Sequence, residues 1–209
     1  MAAFIVKIVL AYLLGSISGS LLLGRFKKVD IRSQGSGNAG GTNAFRTQGL
    51  VFALGVVVID VGKGFMAAWL IPALNFGASA TVPDAKMLMM VCGFAAVLGH
   101  CFPVWHGFRG GKGAATAVGA LIVIQPWLLV PLIMVWLITL IMTGYVGLAT
   151  VLAGFSLVPS AWAMNDYQLM VFSAALAFFL LFTHRKNMRK LRDGTEYRFE
   201  RIHIFSRKD

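Results

Sequence analysis

Three short stretches of this chain gather the side chains and backbone types that hold anions. The first runs from Gly35 to Arg46 and reads GSGNAGGTNAFR, so Gly35, Gly37, Gly40 and Gly41 alternate with Ser36, Asn38, Thr42 and Asn43 before the cation Arg46. Flexible backbone N–H donors beside short polar side chains are the materials of an anion-binding nest. The second, His106 to Gly113, reads HGFRGGKG. Gly110, Gly111 and Gly113 free backbone amides there, while Arg109 and Lys112 add positive charge. An apolar run follows at once, which puts these amides at a helix N-terminus, where the dipole favours an anion. The third places His184 and Asn187 at i, i+3 on one helix face, with Lys190, Gly194 and Glu196 beyond. Donors and cations dominate all three, and two glycine-rich sites suit two phosphate groups. No metal-ligand cluster, nucleophile elbow or paired-carboxylate site is visible.

Two familiar phosphate motifs nearly fit and fail on context. Gly35 to Gly40 matches G-x-G-x-x-G, with Asp60 about 20 residues on, but no strand precedes it and Asp60 lies in an apolar run. The second stretch lacks the Gly at position 106 and the Ser or Thr at position 113 that a Walker A loop requires. The His-x4-Asp pair of the common glycerolipid acyltransferases is also absent, since Trp105, Gly111, Arg189 and Lys208 lie five residues after the four histidines.

The elements that must position these residues are set by composition. Of 209 residues, 58% are hydrophobic and only 13% charged, with a mean hydropathy of +0.77. A chain this short cannot hide that much apolar surface from water, so lipid must be its solvent. Seven apolar runs read as spans, at about residues 4–23, 50–73, 86–102, 114–124, 127–142, 145–164 and 168–183. The fourth is short, so it either starts below the membrane surface or is re-entrant. The net charge of +11 tests the arrangement independently. Sixteen of the 19 Lys and Arg residues fall between spans one and two, between three and four, or after residue 183. That asymmetry puts the N-terminus outside and the C-terminus inside the cell, and removes any need for nucleic acid as a partner. Basic residues follow the first run, where a signal peptide would carry them before it, so it reads as a retained span. Cys92 and Cys101 are nine positions apart on one helix, too far for a disulfide.

Within the second run, Asp60 and Lys63 share a helix face and read as a structural ion pair that holds the loops in place. His100, at the inner end of the third, reads as a capping or core histidine in preference to a base. Arg185, Lys186 and Arg189 suit a belt against lipid headgroups. Polar clusters on the inner face, beside an apolar bundle, suit a substrate with a phosphate head and an acyl tail. A small organophosphate or anion transporter would use similar loops, but it calls for charges along a route through the bilayer, and only Asp60 and Lys63 lie deep. A structural membrane subunit would leave Ser36, Asn38, Asn43, His184 and Asn187 without a task.

Together, GSGN-x-G-x-TN-x-x-R, Asp60-x-x-Lys63-Gly64, Gly99-His100-x-x-Pro103, FRGGKG at residues 108–113 and His184-x-x-Asn187 with Gly194-x-Glu196 resemble the bacterial acyl-phosphate:glycerol-3-phosphate acyltransferases, the PlsY family. The resemblance covers nearly the whole chain. It implies a single all-α domain over residues 1–209, a seven-span bundle of the bacterial inner membrane with its active site on the cytoplasmic face. It implies transfer of an acyl group from acyl phosphate to the 1-hydroxyl of glycerol 3-phosphate, as the first acylation of phospholipid synthesis. It also implies no cofactor or metal, a functional link to an enzyme that makes acyl phosphate, and a monomer in contact with membrane lipids. Carried over residue by residue, it assigns Ser36, Asn38, Lys112 and His184 to catalysis. Gly37, Gly40, Thr42, Asn43, Arg46, Arg109, Gly110, Gly111, Gly113, Asn187 and Glu196 fall to substrate binding, with Asp60, Lys63 and His100 in support. One departure is Lys190, where the family pattern usually has Arg: a lysine offers a point charge in place of a bidentate fork.

Overall fold

The structure, a computed structural model, describes residues 2–76 and 84–199, so residues 200–209 of the expected inner tail lie outside it. Among the described residues every regular element is helical. Two compact units divide the chain, Met1–Gln125 and Pro126–Asp209.

The first unit holds α1 (Ala2–Gly15), α2 (Gly19–Lys27), α3 (Gly41–Gln48), α4 (Leu50–Ala73), α5 (Ala85–Cys101) and α6 (Ala114–Ile124). α4 is its hub and packs against the other five. Small residues let the backbones cross closely: Gly15 and Gly99 where α1 meets α5, Gly64 and Gly119 where α4 meets α6. Such crossings drive helix association where lipid removes the usual hydrophobic incentive. At the other end of α4, Lys7 Nζ donates to the Pro72 carbonyl at 2.7 Å.

The expected first span is two helices in sequence. Gly15-Ser16-Ile17-Ser18-Gly19 interrupts it, with Ser18 extended at φ −96°. A break inside a bundle leaves helix-end amides and carbonyls that must find partners. Both are supplied by α4: Asp60 Oδ1 accepts the Gly19 N–H at 3.1 Å, and Lys63 Nζ donates to the Ile17 carbonyl at 2.5 Å. The acid sits at the start of α2 and the base at the end of α1, the arrangement helix dipoles favour.

The long loop expected at residues 24–49 is more ordered than its composition suggests. It contains a 3₁₀ turn at Ile31–Ser33, capped by the Asp30 carboxylate, and then the helix α3. Ile31, Ala39 and Ala44 drop into a core with Leu21, Phe52, Ala53 and Val56. Arg46 accordingly lies in the last turn of α3, ahead of α4. Gly49, at φ +84°, makes the corner between α3 and α4.

The second unit is a helical meander of α7 (Leu129–Thr143), α8 (Val146–Ala163), α9 (Tyr167–Thr183) and α10 (Arg185–Arg192). α8 packs on α7 and α9, and α10 reaches both α8 and α9. The turn after α7 is closed by the tail: Phe199 N–H donates to the Gly144 carbonyl at 2.9 Å, and Arg198 Nε to the Thr143 carbonyl at 3.0 Å.

Against the seven expected spans, five stretches among the described residues are long and apolar enough to cross a membrane: Ala2–Lys27, Leu50–Ala73, Ala85–His106, Pro126–Thr143 and Val146–Ala163. A sixth is α9 with α10, bent by 58°. The remaining apolar helix, α6, has 11 residues, about 16 Å of length at 1.5 Å per residue. That is about half of a hydrocarbon core.

Candidate active site

Loop one is built around a single side chain. Asn43, in the first turn of α3, is 1% exposed. Its Oδ1 accepts the Ser36 N–H at 2.8 Å, and its Nδ2 donates to the carbonyls of Ile31 and Gln34 at 3.1 and 3.0 Å. Both amide hydrogens and the oxygen are thus spent on the loop's own backbone, so Asn43, expected among the substrate contacts, is the loop's internal frame. Gly35 must be glycine because its φ is +55° and a Cβ would strike Asn43 Oδ1. The frame leaves Ser36 and Gly37 exposed, with Asn38, Gly40, Thr42 and Arg46 half-buried.

The glycine-rich loop at residues 106–113 is docked on the end of α5. Gly110 N–H donates to the Cys101 carbonyl at 3.2 Å and Gly111 N–H to the His100 carbonyl at 3.1 Å. A side chain at Gly111 has no room, since its Cβ would strike His100 Nε2 and lie 3.0 Å from the Ala39 carbonyl of loop one. The two glycine-rich loops therefore converge at Gly111. Gly113, at φ +90°, opens α6, the helix whose N-terminus was expected to face an anion. Lys112 is half-buried and Arg109 exposed.

A second link between these loops was not anticipated. Arg32 Nη1 donates to the carbonyls of His106 and Arg109 at 3.1 and 3.3 Å, while its Nη2 pairs with Asp30 at 2.8 Å. The guanidinium holds the Asp30 carboxyl below its ordinary value, and the carboxylate in turn raises that of Arg32. The signal in the sequence was the Asp-x-Arg spacing at 30 and 32, which is easily counted as simple loop charge.

Beneath both loops lies a buried polar trio. Asp60 and Lys63 pair at 2.9 Å with side chains 1% and 3% exposed. His100 Nδ1 is 2.7 Å from Lys63 Nζ and 3.4 Å from Asp60 Oδ1. The structural pairing expected of Asp60 and Lys63 is what the geometry gives, with His100 as its third member.

In the second unit, His184 is the residue at which α9 ends and α10 begins, and it is buried. Its Nδ1 lies 2.8 Å from the Leu180 carbonyl. A carbonyl only accepts, so the ring proton is on Nδ1 and the lone pair on Nε2. Asn187, three residues on, donates from Nδ2 to Glu196 Oε1 at 2.6 Å and packs against Gly147 of α8. The tail is folded back for this contact by a turn with Gly194 at φ +70°, in which Thr195 and Glu196 N–H donate to the Lys190 carbonyl at 2.8 and 3.1 Å. Glu196, expected to bind substrate, is thereby the partner of Asn187.

An all-helical chain with lipid-length apolar helices and a donor-rich polar site defines a membrane enzyme that handles phosphate esters. The sequence matches the family described as glycerol-3-phosphate acyltransferase over residues 5–194. It is 38% identical to the glycerol-3-phosphate acyltransferase of Chlorobaculum parvum, over 95% of this chain and 97% of that protein. It is 37% identical to glycerol-3-phosphate acyltransferase 2 of Bacillus anthracis, over 92% and 97% of the two chains. Among solved structures it is similar to the crystal structure of PlsY (YgiH), an integral membrane glycerol 3-phosphate acyltransferase. The glycerol 3-phosphate form superposes with a TM-score of 0.83 at 34% identity, covering 94% of this chain and 95% of that one. The lysophosphatidic acid form does so with a TM-score of 0.81 at 33% identity. The chain belongs to the glycerol-3-phosphate acyltransferase family, and it is an integral membrane acyltransferase of several spans.

Proposed function

We propose that this enzyme transfers a fatty acyl group from an acyl phosphate to the 1-hydroxyl of sn-glycerol 3-phosphate. The products are 1-acyl-glycerol 3-phosphate and inorganic phosphate. The observation that carries the reading is the convergence of the two glycine-rich loops at Gly111, which brings the cations Arg109 and Lys112 and the N-terminus of α6 beside loop one. An acyl phosphate is a mixed anhydride with a good leaving group, so no covalent acyl-enzyme is needed. The glycerol hydroxyl attacks the acyl carbon, the C–O bond to glycerol forms, the C–O bond to phosphate breaks, and the hydroxyl proton passes to a departing phosphate oxygen. The protein's work is orientation and charge stabilisation. Ser36, Asn38 and the amide of Gly40 position the acyl phosphate, while Lys112, Arg109 and the amide of Gly113 at the N-terminus of α6 neutralise phosphate. Gly37, Gly110 and Gly111, whose N–H groups are spent on the Gln34, Cys101 and His100 carbonyls, shape the loops instead of donating to substrate. By the family pattern, the first unit's candidates for glycerol 3-phosphate are Thr42 and Arg46, framed by Asn43, and the second unit's are His184 and Asn187, the latter framed by Glu196. The alternative proton acceptor is His184 Nε2, acting as general base in place of the phosphate oxygen; full retention of rate with unchanged affinity in His184→Gln would sink that version.

The family match over 5–194 spans both compact units, which supports treating residues 1–209 as one acyltransferase domain. Sixteen basic residues on one side support seven spans with an outside N-terminus, an active site on the cytoplasmic face of a bacterial inner membrane, and α6 as a half-span. The monomer, in contact with membrane lipids, draws its donor from an acyl-phosphate-producing enzyme. Purified protein in detergent, given palmitoyl phosphate and glycerol 3-phosphate, should release phosphate only when both are present. Release without glycerol 3-phosphate, or equal turnover with acyl-CoA or acyl carrier protein, would defeat the reading.

A further inference from the structure

The proposed chemistry leaves His100 unused, although this histidine lies directly under the glycine-rich loop. It is 3% exposed and occupies the last turn of α5. The Lys63 ammonium spends its three hydrogens on the Ile17 carbonyl at 2.5 Å, His100 Nδ1 at 2.7 Å and Asp60 Oδ1 at 2.9 Å. An ammonium only donates, so His100 Nδ1 accepts and the ring proton sits on Nε2. That N–H edge faces Gly111, whose missing side chain would collide with it, and the same point lies 3.0 Å from the Ala39 carbonyl of loop one. The His100 carbonyl meanwhile takes the Gly111 N–H at 3.1 Å. One buried residue thus touches the loop through both its backbone and its ring.

We propose that His100 is a positioning residue for acyl transfer: its Nε2–H edge and its carbonyl seat the Gly110–Gly111 backbone against loop one, so that Lys112 and the Gly113 amide at the start of α6 are set for phosphate before substrate arrives. The Asp60–Lys63 pair has a second task in this arrangement, because Lys63 determines which ring nitrogen carries the proton. The same ammonium closes the break between α1 and α2, so the first span and the phosphate-facing loop share one anchor. The inference rests on reading residues 110–113 as the phosphate subsite.

The test compares His100→Gln, whose amide reaches the position of Nε2 and donates, with His100→Asn, whose shorter amide does not. The readouts are KM for both substrates, kcat and inhibition by inorganic phosphate. In His100→Asn the phosphate inhibition constant and the KM of at least one substrate should rise about 10-fold, with kcat within about 3-fold, and His100→Gln should recover most of that loss. Unchanged KM and inhibition constants in both variants, with active protein lost only in step with melting temperature, would overturn the proposal. Should neither variant accumulate folded, Gly111→Ala decides, because its methyl strikes Nε2: raised constants support the positioning role and unchanged ones end it. Lys112→Met separates the two levels. If its phosphate inhibition equals that of the wild type, the phosphate reading of the loop fails. If it weakens in Lys112→Met and stays unchanged in His100→Asn, only the positioning role fails.

Discussion

The two units anchor their polar motifs in opposite ways. In the first, the trio of Asp60, Lys63 and His100 is dry and joins segments 37 to 46 residues apart in sequence. In the second, Asn187 is held by Glu196, nine residues away through one turn, and that pair is half-buried. Each motif uses a carboxylate, and in neither does the carboxylate stand where a general base would. It pins a neighbour. The difference in burial sets what its removal costs: a charge stranded in an apolar bundle is far dearer than a hydrogen bond lost beside water.

The largest effect should therefore come from Asp60→Ala. It strands the Lys63 ammonium and leaves the first amide of α2 uncapped, a loss of about 3–5 kcal/mol. Thermal unfolding in detergent should show it, and adding Lys63→Met should restore part of the loss. A double variant no more stable than Asp60→Ala alone would show that the pair is not the anchor of this unit.

Lys112→Met sharpens the comparison by leaving both anchors in place. It should lower kcat/KM about 100-fold while the melting temperature stays near that of the wild type. A parallel fall in stability would mean that Lys112 belongs to the framework and not to the phosphate-facing set.

These contrasts also explain what could be read from residues alone. The apolar runs were legible because lipid demands them, and 114–124 matches α6 residue for residue. The ion pair at 60 and 63 was legible because charge within a span needs a partner close by. The third member was not, because nothing local relates His100 to position 63; only the crossing of α4 and α5 does. α3 was hidden by its own composition: Gly40, Gly41, Thr42 and Asn43 read as loop, and helix forms because Asn43 ties its first turn to Ser36, Ile31 and Gln34. Glu196 was visible as part of a motif, but its partner became clear only with the Gly194 turn.

Glu196→Ala breaks the local anchor. The lost charge-assisted hydrogen bond is worth about 1–2 kcal/mol, and Asn187 should lose orientation with it. The expected signature is a raised KM for glycerol 3-phosphate with a modest drop in melting temperature. Glu196→Gln, which keeps an acceptor for Asn187 Nδ2, should fall between Glu196→Ala and the wild type. Equal defects in the two would move the cause from this bond to the tail as a whole.

The smallest effect tests the exposed tie between the two glycine-rich loops. Arg32 holds the carboxyl of Asp30 below its ordinary 3.8, so this group binds fewer protons in the folded protein than in the unfolded one. Its contribution is fully present above pH 3.8 and is lost as pH falls through the lower folded value. Both side chains are partly exposed, and such a pair is worth about 0–1 kcal/mol. Melting temperatures of the wild type and Asp30→Asn should therefore differ slightly at neutral pH and converge on acidification. Because Arg32 also donates to the His106 and Arg109 carbonyls, Asp30→Asn should weaken phosphate inhibition by no more than about 2-fold. A difference between the two proteins that persisted unchanged below the folded value would show that Asp30 acts through its cap on the Arg32 N–H and not through the ion pair.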